Sequence, residues 1–368
     1  MLMTDLEKAR YRRKVIEILK QYGIELGCNN KPIVTDIREL QYKLANNANH
    51  KYFYLARKYN EYIAQPWEVE VEKIYPELVQ VQTPMQAELW KYATSFWSVP
   101  VTSGYGRRMR FLILDKQNSK LIGILGLNDP VIGLGIRDKF IGWDKKTRTD
   151  KLYHVLSAYV LGALPPYNYL LGAKLIALLC RSKAILEAFK EKYAGKKTII
   201  TKQIKPTELV LIDTMGAFGK SAIYNKLKGW NFVGYTDGVS HLHLTMPELW
   251  EVIKEILPEE KFRTYKFGQG PNWKMRMTRD ALRILGFKEN ILEINWKRGY
   301  YICPLATNWR EYLLGESEKP IYNLISIQEA RDYWLQRWVL PRKNHLLEKL
   351  YVSEAALCDC SFEILALR

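Results

Sequence analysis

Cysteine is scarce in this 368-residue chain: five residues, an odd number, at positions 28, 180, 303, 358 and 360. Only Cys358 and Cys360 are near neighbours, and their C-D-C spacing is one residue short of the C-x-x-C of zinc and redox sites. A disulfide framework is not expected; idle or buried thiols in a reducing cytosol are. Histidine is equally sparse, at five. The strings G-x-S-x-G, H-E-x-x-H and paired C-x-x-C are all missing, which removes the motif support for serine hydrolases and zinc enzymes. The opening MLMTDLEKARYRRKVIEILK is charged throughout and lacks the apolar centre of a secretory leader. The longest apolar stretch, LSAYVLGALPPYNYLLGAKLIALL, is broken by Pro165 and Pro166 and carries Lys174. A buried strand followed by a helix is expected there, not a membrane span. No internal repeat or low-complexity tract is visible. A cytoplasmic protein without a membrane partner is the expectation.

What is abundant is apolar residues and positive charge. Hydrophobic residues make up 48% of the chain and aromatics 12%, enough for a packed core. The length fits one elaborated domain or two. The formal charge is +17, and it is uneven: residues 101–230 hold 23 basic against 9 acidic residues, a surplus of 14. Positive charge concentrated in one region is the electrostatic footprint of a phosphate-bearing partner. The competing reading is a charge that serves solubility alone.

Pattern along the chain predicts three regions. Residues 1–90 read as helical, with LEKARYRRKVIEILKQYG closing at Gly23 and a second helical run from 37 to Pro66. Residues 91–245 read as an α/β core. RRMRFLILDKQNSKLIGILGLNDP is a β-hairpin, and RDKFIGWDKKTRTDKLYHVL a basic loop. SAYVLGALPP is a central strand, and LLGAKLIALLCRSKAILEAFKEKYAG one long helix. KPTELVLIDTMG is a buried strand, GKSAIYNKLKG a short helix and WNFVGYTDG a strand. Residues 246–368 mix helices (MPELWEVIKEILPEEKF, TRDALRILGF, IQEARDYWLQRWVLP) with a strand pair in LEINWKRGYYICPLA.

Several strings resemble the Druantia DruA family: WSVPVTSGYGRRMRFLI, GIRDKFIGWD, VLGALPPYNYLLGAKLIALL, AFGKSAIYNKLKGWNFVGYTDG, GPNWKMRM and YWLQRWVLPR, spread over residues 90–342. The resemblance implies a bacterial anti-phage role, DNA as the nucleic acid concerned, and other defence subunits such as a helicase as partners. It implies no established reaction. The order hairpin, strand, glycine turn, helix, strand, short helix, strand also resembles the GNAT acyltransferase fold. The expected class is therefore α/β (α+β), a GNAT-like mixed sheet flanked by helices, with a helical N-terminal and a mixed C-terminal addition. In that fold a Q/R-x-x-G-x-G/A turn holds the pyrophosphate of acetyl-CoA at a helix start. Here the turn is Tyr169-Leu170-Leu171-Gly172-Ala173-Lys174. Gly172 and Ala173 are the candidate cofactor residues, and Lys174 adds a point charge for a phosphate. The string A-x-Y-x-K-L-x-G ending at Gly229 places Tyr224 where such enzymes often keep a general acid.

Three further constellations carry chemistry. Tyr105, Arg107, Arg108 and Arg110, beside Gly104 and Gly106, offer rings for stacking and guanidinium forks for phosphate. The segment from Arg137 to Asp144 joins Arg137 and Trp143, as nucleic-acid contacts, to Asp138 and Asp144, as candidate bases or ligands of a divalent metal. Neutralisation of neighbouring charges on a loop explains those carboxylates equally well. Gly219-Lys220-Ser221 resembles the end of a phosphate loop, but the full G-x-x-x-x-G-K-[ST] is absent, so Lys220 and Ser221 are candidates for a single phosphate. His241 and His243 share a strand face with Asp237 near by, a weak nuclease-like metal pattern. The leading expectation is nucleic-acid binding, with acyltransferase and metal-dependent nuclease as alternatives.

Overall fold

A computed structural model describes residues 3–102, 106–198, 202–236, 244, 246–258, 260, 273–292 and 294–359. Two compact units emerge, each assembled from distant stretches of chain. One comprises Met1–Ala48, Ser98–Pro100 and Thr236–Arg298; the other comprises Asn49–Trp97, Val101–Tyr235 and Gly299–Arg368.

In the first unit, helix Asp5–Gln21 opens with a capping box between Thr4 and Glu7, which satisfies two amides that the first turn leaves without partners. A short antiparallel pair follows, β1 (Ile24–Leu26) with β2 (Pro32–Val34). Helices Ile37–Ala48, Pro247–Ile256 and Trp273–Ile284 also belong to the unit. Val15, Leu19, Leu249, Val252, Met277 and Ala281 pack into its core.

The second unit is built on a seven-stranded mixed sheet: β3 (Pro76–Gln80), β4 (Arg108–Asp115), β5 (Leu121–Asn128), β6 (Val155–Ala163), β7 (Leu211–Met215), β8 (Asn231–Tyr235) and β9 (Gly299–Pro304). The spatial order is β3-β4-β5-β6-β7-β9-β8. Every pairing is antiparallel except β6 with β7. The mixed α/β class and the β4–β5 hairpin are as expected. All eight residues of β5 are buried, the signature of a strand covered on both faces. The parallel register of β6 and β7 runs from Val155↔Leu211 to Ser157↔Asp213, and Thr214 Oγ1 donates to Ala158 O at 2.8 Å just beyond it.

Four local expectations differ. The basic segment after β5 folds as two helices, Gly135–Ile141 and Lys145–Lys151, because Asp144 accepts the Thr147 amide and caps the second. The long helix after β6 is divided into Gly172–Leu179 and Lys183–Tyr193. Between them the backbone pairs with residue 325: Lys183 N donates to Ile325 O, and Ile325 N to Arg181 O. Residues 220–229 form turns in place of a helix. The Lys174 ammonium takes the carbonyls of Ala222, Ile223 and Asn225, which a helix would need for its own ladder, and Lys226 sits at φ +54°. In LEINWKRGYYICPLA one strand forms among the described residues, β9, which inserts between β7 and β8. The helix starting at Ile327 widens into a π turn at Leu335–Val339. Pro341 has no N–H for the Arg337 carbonyl four residues back, and Arg342 Nη1 reaches that carbonyl and that of Trp338. No helix among the described residues is long and apolar enough to cross a membrane.

Candidate functional site

The start of β4 groups positive charge beside aromatic rings, Trp90 buried and Tyr159 and Tyr193 half-buried. Strand alternation puts Arg108 and Arg110 on one face. Arg110 pairs with Gly126 of β5, and Gly126 with Val160 of β6, where the register shifts by a bulge. A Cβ on Gly126 would lie 2.8 Å from ring carbons of Tyr159, so the glycine is what lets that ring lie across the sheet. Lys192 Nζ and the Tyr193 hydroxyl both donate to the Arg108 carbonyl, at 2.8 and 3.0 Å. The Arg110 guanidinium stands 5.8 Å from the Trp90 ring centre. Burial lowers the Lys192 pKa, and Arg110, Lys196 and Arg108 lower it further. Four cations and three rings (Trp90, Tyr159, Tyr193) thus occupy one neighbourhood.

Arg107 turns the other way. Its Nε donates to Asp129 Oδ1 at 2.7 Å, its Nη2 to Tyr153 O at 2.7 Å, and its guanidinium lies 3.9 Å from the Tyr153 ring centre. Gly106, at φ +63°, permits this: a Cβ there would collide with the Asp129 carboxylate at 2.0 Å. Tyr105 lies outside the described residues.

Arg137 is fully buried. It binds Asp138 Oδ1 through Nε and Nη2 at 3.0 and 2.9 Å, and the carbonyls of Val131 and Ile132 at 2.8 and 3.1 Å. The other oxygen of Asp138 accepts from Arg148 at 2.8 Å. Behind Arg137, at 3.9 Å, stands Asp213 of β7. Asp213 accepts from Ser157 Oγ and, at 2.9 Å, from the Tyr300 hydroxyl. Burial raises the Asp213 pKa, and Arg137 opposes the shift. Asp144 serves as the exposed cap described above, and its bond from the Thr147 amide lowers its pKa. Trp143 is buried with Nε1 on Leu313 O at 2.8 Å. Asp213, Ser157 and Tyr300 escaped the reading of the sequence, although a carboxylate inside V-L-I-D-T is a signal, since a buried charge needs partners.

Around the start of helix Gly172–Leu179 the candidate residues do meet. Lys174 Nζ lies 2.6 Å from Ala222 O and 2.9 Å from Ile223 O. Tyr224, next in sequence, packs tilted between Trp230 and Tyr301 at centroid distances of 4.6 and 4.9 Å, and burial pushes its hydroxyl pKa up. Ser221 N donates to the Tyr301 hydroxyl at 2.7 Å, and Lys220 lies 4.6 Å from the Phe232 ring centre. The amides of Leu171, Gly172 and Lys174 are committed to the carbonyls of Asn168, Tyr167 and Leu171, and Ala173 packs against the core. These groups do not fit acetyl-CoA as the resemblance implies, because the turn spends its amides on itself. A divalent metal finds no group of three or more His, Cys, Asp or Glu among the described residues. Both oxygens of Asp138 are held by guanidinium groups. His241 and His243 lie outside the described residues.

One pH effect follows from this unit. His154 is buried with Nδ1 2.8 Å from Glu208 O, and burial pushes its pKa down to about 4, with Lys151, Arg107 and Lys205 adding repulsion. The unfolded chain takes up the proton near pH 6.5 and the folded one near 4, so stability is full above that window and falls as pH drops through it. The shift sets a ceiling of about 3 kcal/mol on the loss. Urea unfolding at pH 7 and pH 4.5 should show it, and His154→Gln should flatten it; an equal pH slope in both proteins would rule it out.

The fold defines a mixed α/β protein with cations grouped at the start of β4 and a buried Arg137–Asp213 approach. Comparison with known proteins narrows this class. The family model of the Druantia protein DruA matches residues 10–315. A curated Druantia protein DruA of Escherichia coli is 36% identical over 357 residues, covering 92% of this chain and 88% of its own length. No solved structure matches. The chain belongs to the Druantia DruA family.

Proposed function

We propose that this chain serves anti-phage defence by binding nucleic acid, DNA in preference to RNA, through the cationic surface at the start of β4. As a Druantia DruA protein it is a component of a defence system. The observation that carries the binding reading is the grouping of Arg108, Arg110, Lys192 and Lys196 with Trp90, Tyr159 and Tyr193. Guanidinium forks match phosphate oxygens, and the half-buried Tyr159 and Tyr193 rings offer edges or faces for unpaired bases, while Trp90 is buried behind Arg110. The surplus of 14 positive charges in residues 101–230 supplies the longer-range attraction. Other subunits of the system, such as a helicase, are proposed partners.

The test is binding of the full chain to a labelled duplex and a single strand of equal length over a salt series. Four phosphate contacts give a slope of about −3 to −4 in log K against log salt. A slope near zero, or no binding in dilute salt, removes this reading.

A second reading, acyl transfer, is favoured by the parallel β6–β7 pair flanking a glycine-started helix, the arrangement the GNAT resemblance implies. The committed amides at that helix start speak against acetyl-CoA, so no acyl step is derived.

A further inference from the structure

We propose that the pocket between the start of helix Gly172–Leu179, the 222–226 turn and the segment from Arg337 to Lys349 binds a nucleotide through its phosphates. The pocket is about 570 Å³, a size typical of small-molecule sites. Lys174, Lys226, Arg337, Arg342 and Lys349 line it together with His345, and no carboxylate is among its described lining residues. Three of the cations crowd one ring: Lys174 lies 4.1 Å, Arg337 5.2 Å and Arg342 5.5 Å from the Trp338 ring centre. Like charges drawn together without a counter-charge repel, and a polyanion relieves that repulsion.

Two further features mark the pocket. The Trp338 indole N–H is buried and has no acceptor among the described residues. The π turn Leu335–Val339 carries both Arg337 and Trp338, and such turns recur at functional sites. Burial and the charge of Arg342 hold the Lys174 pKa down to about 8, so a bound anion would also stabilise its protonated form. Leu171, Trp338 and Leu346 give the pocket an apolar wall suited to a base; Lys226, Arg337, Arg342 and Lys349 suit two or three phosphates, and Lys174, whose ammonium is bonded to three carbonyls, adds charge alone. The ligand chemistry is a nucleoside oligophosphate, either free or as the phosphorylated end of a strand. None of the β4 surface residues lines this pocket, so the inference goes beyond the binding reading above.

Calorimetric titration of the full chain with ATP, inorganic tripolyphosphate, coenzyme A, and 5′-phosphorylated and 5′-hydroxyl oligonucleotides tests it. ATP should bind, with tripolyphosphate weaker because it lacks the base. Arg337 and Lys349 are exposed, and the double substitution Arg337→Ala/Lys349→Ala should weaken ATP by about tenfold or more while leaving the fold intact. Lys226→Gln, in the exposed turn, should weaken it less. Preference for the 5′-phosphorylated strand over ATP and over the 5′-hydroxyl strand identifies a strand end as the source. No binding of any oligophosphate, equal ATP affinity in the double variant, or tighter binding of coenzyme A than of ATP overturns the proposal. Arg108→Ala/Arg110→Ala/Lys192→Ala should bind ATP normally. Loss of ATP binding in that variant counts against this pocket, whereas loss of DNA binding alone bears only on the β4 surface.

Discussion

Replacing Arg108, Arg110 and Lys192 together by alanine should reduce the salt dependence of DNA binding by two to three units in log–log slope, about 0.9 for each phosphate contact removed. At low salt the affinity should fall by about two orders of magnitude, uniformly across sequences, since phosphate contacts carry no base information. Stability should change little. Arg108 is exposed, Arg110 is half-buried beside Trp90, and Lys192 gives up one bond, to the Arg108 carbonyl, which Tyr193 still satisfies. Arg108→Lys/Arg110→Lys separates charge from shape. It keeps the slope and loses affinity if planar forks and ring stacking matter. An unchanged slope in the alanine variant would place DNA binding elsewhere or nowhere.

The second large effect is on folding. Asp213→Ala should destabilise the sheet unit by about 2–4 kcal/mol, because it opens a void behind the buried Arg137 guanidinium, which keeps Asp138, and leaves the hydroxyls of Ser157 and Tyr300 without their acceptor. Arg137→Met should cost a similar amount by leaving Asp138 and Asp213 without their shared cation. The two losses should not add. Once either charge is gone, their mutual attraction is already lost, and the double variant should be less damaged than the sum. Denaturant unfolding of the two single variants and the double variant reads this directly. Simple additivity would show that the 3.9 Å approach of Arg137 to Asp213 carries no coupling.

These two predictions concern residues of unequal legibility. Arg108 and Arg110 stand at the mouth of a visible β-hairpin, so their shared face follows from alternation alone. Arg137 lies in a segment whose charges read as a basic loop, yet it is fully buried. Nothing local shows that. Its place depends on β7 bringing Asp213 beside Ser157 and on β9 bringing Tyr300 from 87 residues away. Lys192, Tyr159 and Trp338 were likewise invisible as site residues, because each reads as an ordinary member of an amphipathic or apolar element.

Sequence alone determined the elements whose signal is local: the hairpin of residues 108–128, the apolar central strand, the helical opening, the positive surplus of the middle third and the family strings. Period and composition report which face of a single element meets the core, and they report it well. Tertiary structure decided how charges are used. Lys174 takes three carbonyls and thereby prevents a helix at 220–229, β9 enters the sheet between earlier strands, and Arg107 and Arg137 fold inward while Arg108 stays out. A buried guanidinium or ammonium is tolerated only where distant backbone and carboxylate partners converge on it, and that convergence is a property of the assembled sheet, which no stretch of sequence contains.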